Sequence, residues 1–343
     1  MPALYKNVST IQPLFALLRN HHAPRIIITT HHKPDADALG SSLGLYNYLK
    51  NAGIASQVIS PTDYGDFLKW MPGEDTVINF EEDKNHCAHL IEEADFIFCL
   101  DFNALNRIND MGKMVEKSKA VKVLIDHHLN PQHFYDFDHW NPESSSTCEL
   151  MFEVFNAWAP IHIDKHTAQC LYAGIVTDTG SFRFPSTHPS THLVVSELLK
   201  FDIEHHHIHE AIFDSFTEDR TRFIGYVLCN KLEILPEYNT ALMAVTQEEL
   251  EKYNIVTGDT EGLVNYGLSI KGIKLAALII DRKHLVKMSF RSKGNFPANE
   301  FASKHFEGGG HFNAAGGQST DTLEETVARF KAALPEWKVI LES

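Results

Sequence analysis

Four apolar segments in the first 180 residues each run into acids or histidines. "RIIITT" (25–30) leads into His31, Asp35 and Asp37, and "DFIFCLD" ends at Asp101. "KVLIDHH" ends in Asp126, His127 and His128, and the apolar helical pattern "KHTAQCLYAGIVTDTG" reaches Asp178 at its polar end. Short continuous apolar runs alternating with longer helical patterns read as strands buried on both faces, in a mostly parallel sheet covered by helices. In an open sheet of that kind, ligands bind outside the carboxyl ends of the strands. The pattern therefore points to an α/β fold and to the edge where its chemistry sits.

The rest of the chain extends this reading. "ADALGSSLGLYNYLKNAG" has helical spacing and ends at Gly53, "SQVIS" reads as a strand, and "SSTCELMFEVFNAWA" as a helix with Ser and Thr caps. After about Ser190 the texture changes to consecutive helices, through "KLEIL". Strands return at "TALMAV", "IKLAALIID" and "LVKMSFRS", followed by a closing helix, "TLEETVARFKAAL". The expected organisation is an α/β domain over 1–195, a helical connector over 196–235 and a smaller α/β domain over 236–343.

The formal charge of −15 argues against a protein that wraps long duplex nucleic acid, which needs a basic surface. Charge is uneven, however: between Asn265 and His305 there are eight Lys and Arg residues and two acids, a local excess suited either to a small anion or to a solvated face. No apolar run approaches a membrane span, and the N-terminus lacks the basic-then-apolar pattern of a signal peptide. Five widely spaced cysteines without a C-x-x-C support neither a disulfide framework nor a zinc ribbon, so reduced thiols in a cytoplasmic protein are expected.

The mix of carboxylates and imidazoles suits a pair of divalent metals about 3.5–4 Å apart, able to hold a hydroxide and clamp the oxygens of a phosphoryl displacement. Oxygen and nitrogen donors without thiolate favour Mn²⁺, with Mg²⁺ or Co²⁺ as alternatives. On an extended loop, Asp35 and Asp37 would point to one side, each toward its own metal. Gly40, Ser41 and Ser42 would then open the helix, with its free N–H groups toward a phosphate. In "EGGGHFNAAGG", Gly308, Gly309 and Gly310 read either as a turn or as backbone freed to approach an anion, with His311 directly after. In "EHHHIHE", His205 and His209 stand at i, i+4, a spacing open to a metal or to a solvent-facing helix.

Taken in order, "HHKPDADALGSS", "CLDFNALNRI", "LIDHHLN", "GIVTDTGSF" and "FEGGGHFNAAGG" resemble the DHH phosphoesterase superfamily, in the branch with a DHHA1 C-terminal domain. Within it, the layout resembles the NrnA-like oligoribonucleases and pAp phosphatases, with a RecJ-like N-terminal domain but without RecJ's extra nucleic-acid domains. The resemblance implies that His31, Asp35 and Asp101 hold one metal. Asp37, Asp101, His127 and Asp178 hold the other, with Asp101 bridging. His128 would face the scissile phosphate as donor or acid, and Asp126 would sit behind, orienting a histidine. The family spacing selects His31 over His32. Arg291, Ser292, Gly309, Gly310 and His311 would bind substrate, with Asn265, Lys287 and Arg183 as weaker candidates. Arg107 would touch substrate or pair with a motif acid.

The implied activity is hydrolysis of short single-stranded oligonucleotides, from dimers to pentamers, to mononucleotides, and removal of the 3′-phosphate of pAp, by hydroxide attack on phosphorus. The metals would cleave while the second domain grips the substrate's far end, in a monomer or homodimer with no membrane or long-duplex partner. A phosphodiesterase for linear pApA is the nearest alternative. A non-catalytic nucleotide-binding protein and a polyphosphate hydrolase are more distant ones.

Overall fold

The computed structural model describes residues 8–342; the first seven residues of the N-terminal stretch read above lie outside the described residues. Two compact units divide between Ser215 and Phe216.

The first unit holds strands β1 (Ile26–Thr29), β2 (Ser56–Ser60), β3 (Ile78–Asn79), β4 (Phe96–Leu100), β5 (Val121–Asp126) and β6 (Phe137–Trp140). All pair in parallel, in the order β3-β2-β1-β4-β5-β6. Order reverses between β1 and β4, so the switch point lies where "HHKPDAD" and Asp101 emerge. Its helices are α1 (Gln12–Asn20), α2 (Ala36–Asn51), α3 (Lys84–Glu93), α4 (Met111–Lys117), α5 (Thr147–Trp158), α6 (Lys165–Asp178), α7 (Pro189–Leu198) and α8 (His205–Phe213). The strands are apolar on both faces because both are covered. Ile26, Ile28, Phe98 and Val123 meet α2, α5 and α6 on one side. Ile27, Ile97, Cys99 and Leu124 meet α3 and α4 on the other.

Helices α2 and α6 pack closely because glycines line the seam. A Cβ on Gly40 would lie 2.5 Å from the Cys170 carbonyl oxygen, and one on Gly174 would lie 2.3 Å from Cys148 Sγ and 2.7 Å from Asp37 Oδ1. This corrects the expectation for Gly40–Ser42. They do not open the helix, because Asp35 caps it one turn earlier, accepting from the N–H groups of Asp37 and Ala38. Ser41 and Ser42 instead donate to the Ala38 carbonyl inside the helix. Asp35 and Asp37 accordingly lie at a helix start, not on an extended loop.

The second unit holds α9 (Glu218–Asn230), β7 (Leu232–Leu235), β8 (Thr240–Val245), α10 (Gln247–Lys252), α11 (Leu263–Leu268), β9 (Leu275–Asp281), β10 (Val286–Ser292), α12 (Ala298–His305), β11 (Glu307–His311), β12 (Ala314–Ser319) and α13 (Leu323–Glu342). The sheet order is β11-β12-β10-β9-β8-β7, antiparallel except for β8 with β9. One face packs on α12 and α13. The β8–β9 part of the other packs on α9, α10 and α11.

Two expectations change here. The stretch 196–235 is not a separate helical connector. Helix α8 packs on α6 in the first unit, α9 belongs to the second, and Leu232–Leu235 pairs with β8 as a strand. The triple glycine is not a turn but lies in edge strand β11, in register with β12 from Glu307↔Gln318 to His311↔Ala314.

Because the Gly40 contact is with backbone, Gly40→Ala is expected to destabilise the protein by about 1–3 kcal/mol through overpacking. Calorimetric melting measures this; an unchanged transition would show that the seam relaxes freely.

Candidate active site

The site grows from Asp101, the residue that follows β4. Its backbone is left-handed, φ +63°, and its N–H donates to the Ile125 carbonyl at 3.1 Å. The turn aims both carboxylate oxygens at histidines. His31 Nε2 lies 3.4 Å from Oδ2; His127 Nε2 and His128 Nδ1 lie 3.5 and 3.7 Å from Oδ1. Thr147, the first residue of α5, donates its hydroxyl to the same Oδ1 at 2.8 Å.

Backbone carbonyls fix the imidazoles. His31 Nδ1 donates to the His32 carbonyl at 2.9 Å and His127 Nδ1 to the Ser144 carbonyl at 3.2 Å. A carbonyl only accepts, so Nδ1 carries a proton in both rings and Nε2 is the nitrogen that faces the carboxylates: protonated it donates to them, deprotonated it offers a lone pair to a metal. His32 turns the other way, its Nδ1 donating to the Arg107 carbonyl at 2.8 Å. His128 gives Nδ1 to Asp126 Oδ1 at 2.8 Å, so Nε2 is the nitrogen that would address a substrate.

The remaining acids complete two groups. Asp35, with an exposed side chain, lies 3.9 Å from His31 Nε2. Asp37 and Asp178 lie 3.8 and 3.3 Å from His127 Nε2. Asp37 is fully buried and accepts from the N–H groups of Thr147 and Cys148, at 2.7 and 2.9 Å, at the start of α5. Side-chain donors of His31, Asp35 and Asp101 converge within 4.8 Å of one another, as do those of Asp37, Asp101 and His127, and those of Asp101, Asp126 and His128. The eight acids and histidines read from the motifs of the first domain, His31, Asp35, Asp37, Asp101, Asp126, His127, His128 and Asp178, thus arrive at one place.

This clustering has an electrostatic cost. Burial, reinforced by the charges of Asp101 and Asp178, holds the Asp37 carboxyl well above its usual range. Burial also raises Asp178, against the pull of His127. Burial would raise Asp101 too, but hydrogen bonds from His127 and His31 and the charge of His128 outweigh it and hold that carboxyl well below. Burial would lower His127, yet Asp101 and Asp178 prevail and raise it well above 6.5. Closely packed buried acids with oxygen and nitrogen donors fit divalent cations, which would replace the protons.

The structure leaves other candidates outside this cluster. Arg107 makes no ion pair with an acid among the described residues, and its carbonyl serves His32. Arg183 donates to the Gly180 carbonyl at 2.6 Å, in a turn where Gly180, Ser181 and Phe182 all have positive φ. His209 Nε2 pairs with the Tyr172 hydroxyl at 3.2 Å, and no candidate metal group among the described residues includes His205 or His209. Thr147, Cys148 and Ser144 were missed: the Ser-Thr run before α5 reads as a cap, and nothing local reveals that it also holds Asp37 and Asp101.

In the second unit, alternation along β10 puts Lys287, Ser289 and Arg291 on one face and Met288 and Phe290 on the other, in the core. Arg291 pairs across to Ala314, and Ala314 to His311. Gly316 pairs with Ser289 and Gly309. This gives a floor of small residues edged by Arg291 and His311. Gly309 is open, whereas a Cβ on Gly310 (φ +139°) would lie 2.6 Å from the Ala314 carbonyl oxygen. Gly310 therefore serves the strand pairing. The buried Ser292 hydroxyl donates to the Phe296 carbonyl and accepts from Asn313, which ties down the following loop.

Comparison with known proteins gives the chain its family. The DHH family N-terminal domain matches residues 25–175 and the DHHA1 domain residues 240–339. The crystal structure of an exopolyphosphatase-related protein from Bacteroides fragilis is 40% identical, covers 98% of each chain and superposes with a TM-score of 0.92. The probable bifunctional oligoribonuclease and PAP phosphatase NrnA of Streptococcus mutans is 30% identical over 87% of this chain and 91% of its own. RecJ from Thermus thermophilus, solved with Mn²⁺, shares the fold at 13% identity and a TM-score of 0.56, over 98% of this chain and 56% of RecJ. The chain belongs to the DHH family, in its DHHA1-bearing branch, and is a hydrolase acting on phosphoester bonds. No helix among the described residues is long and apolar enough to cross a membrane.

Metal binding must displace protons from Asp37, Asp178 and His127, whose raised pKa values mean that the metal-free site retains them as pH rises. Affinity for Mn²⁺ is therefore expected to fall as pH is lowered, with net proton release on binding. Titration calorimetry in buffers of different ionisation enthalpy checks this; buffer-independent heats and pH-independent affinity would contradict it.

Proposed function

We propose that this hydrolase cleaves short single-stranded oligonucleotides, from dimers to pentamers, to mononucleotides and removes the 3′-phosphate of pAp. The observation that carries the reading is the convergence of three histidines and an acid cluster on one shared carboxylate, Asp101, in a chain similar over most of its length to a protein described as having both activities.

His31, Asp35 and Asp101 would hold one divalent ion, and Asp37, Asp101, His127 and Asp178 a second. Mn²⁺ fits this donor set best, with Mg²⁺ and Co²⁺ as alternatives. When bound, such a pair supplies positive charge at the phosphate and an activated water. The protein's own groups do the rest. Asp101 would serve both ions, since its two oxygens face different histidines. Asp126 accepts from the His128 Nδ1–H and fixes the ring from behind; as an imidazolium, His128 would give its Nε2 proton to the departing oxygen as the ester breaks. In the second unit, Arg291 and His311 beside the glycine floor would bind a terminal phosphate or base, the guanidinium through paired hydrogen bonds. The net charge of −15 agrees with small substrates, which need no extended basic track.

The test is a panel of 5′-phosphorylated dinucleotide, pentanucleotide, pAp, pApA and a long single strand with Mn²⁺. The dinucleotide and pAp are expected to turn over fastest, and Asp101→Ala to abolish turnover while the fold survives, by circular dichroism. Equal rates on the long strand, preference for pApA alone, or an active Asp101→Ala protein would each overturn the reading.

A further inference from the structure

Trp140 stands out among the four tryptophans. Trp70, Trp158 and Trp337 are packed into hydrophobic clusters, whereas Trp140 belongs to none and is 39% exposed. It ends β6, in register with Asp126 at the carboxyl end of β5. Its indole N–H donates to the His128 carbonyl at 2.7 Å. The ring is thus pinned to the backbone of the residue assigned to the departing oxygen. Its one polar atom is satisfied within the protein, so the exposed part is hydrocarbon edge and π face. Leu129, directly after His128, is also 39% exposed. Two apolar side chains therefore flank His128 at the rim of a site built otherwise from acids and imidazoles.

Neither metal nor phosphate has any use for such a surface. A purine or pyrimidine does, because every base offers a π face that stacks on an aromatic ring. We propose that Trp140 is a stacking platform for the nucleobase next to the scissile phosphate, with Leu129 as its apolar border. The assignment rests on the nucleotide reading above and deepens it. It makes Trp140 the residue that separates nucleotides from base-free phosphate chains, which the metal and phosphate groups alone treat alike. Tryptophan suits the task because the hydrogen bond to His128 leaves the ring little freedom to lose on binding.

The experiment compares pAp with its abasic analogue, a tetrahydrofuran 3′,5′-bisphosphate, using the full chain with Mn²⁺. Trp140→Leu is expected to lower kcat/KM for pAp by about tenfold or more, the size of one base–aromatic stack. The loss should fall mainly on KM, and the abasic analogue should change little. Trp140→Phe should keep most of the activity. Equal loss on both substrates would make Trp140 a support for His128 and overturn the proposal, as would no loss on either.

A second measurement needs no turnover, so it separates failure of the platform from failure of the oligonucleotide reading. Binding of 5′-AMP should quench tryptophan emission, the quench should vanish in Trp140→Phe, and calorimetric affinity should fall about tenfold in Trp140→Leu. An unchanged affinity overturns the platform whatever the enzyme hydrolyses.

Discussion

The architecture of the site depends on one carboxylate held from two sides. Asp101 emerges from β4 with a left-handed backbone, unfavourable for a residue with a side chain. That conformation lets Oδ2 face His31 and Oδ1 face His127, His128 and the Thr147 hydroxyl. Three strand ends and one helix start thus refer to a single group. Strands β1, β4 and β5 deliver it and its histidines because they are neighbours across the switch point of the sheet. The start of α5 locks it, because Thr147 uses its hydroxyl for Asp101 and its backbone N–H for Asp37.

The helices on the same side carry the complementary constraint. Glycine at 40, 44 and 174 lets α2 and α6 approach until Asp37, at the start of one, and Asp178, at the end of the other, share His127. Burying these acids together raises the carboxyls of Asp37 and Asp178 and makes the metal-free cluster proton-loaded. A core arranged only for stability would not do this. The unfavourable electrostatics is what the two divalent cations proposed for this site would offset.

Much of this was legible in the residues. Apolar runs ending in acids and histidines announce a parallel sheet with a ligand-bearing carboxyl edge, and strands β1, β4 and β5 lie where those runs fall. The motif residues of the first unit do come together. Less legible was anything set by contacts between distant segments. The role of Gly40 is set by the Cys170 carbonyl, and that of Thr147 by Asp37 and Asp101. The triple glycine looks like a turn until β12 offers a partner strand. Trp140 carries no local signal at all, because its meaning lies in a hydrogen bond to the backbone of another strand's end. The range 196–235 looks uniformly helical because strand β7, four residues at a sheet edge, leaves little pattern.

The central claim is that Asp101 joins two cations into one centre. Electron paramagnetic resonance of the protein titrated with Mn²⁺ addresses it most directly, because two ions sharing a carboxylate at about 3.5–4 Å are magnetically coupled. The account predicts two Mn²⁺ per chain with an exchange-coupled spectrum, collapsing to uncoupled signals in Asp101→Asn. A wild-type protein that saturates with one ion, or with two that give independent spectra, would contradict it.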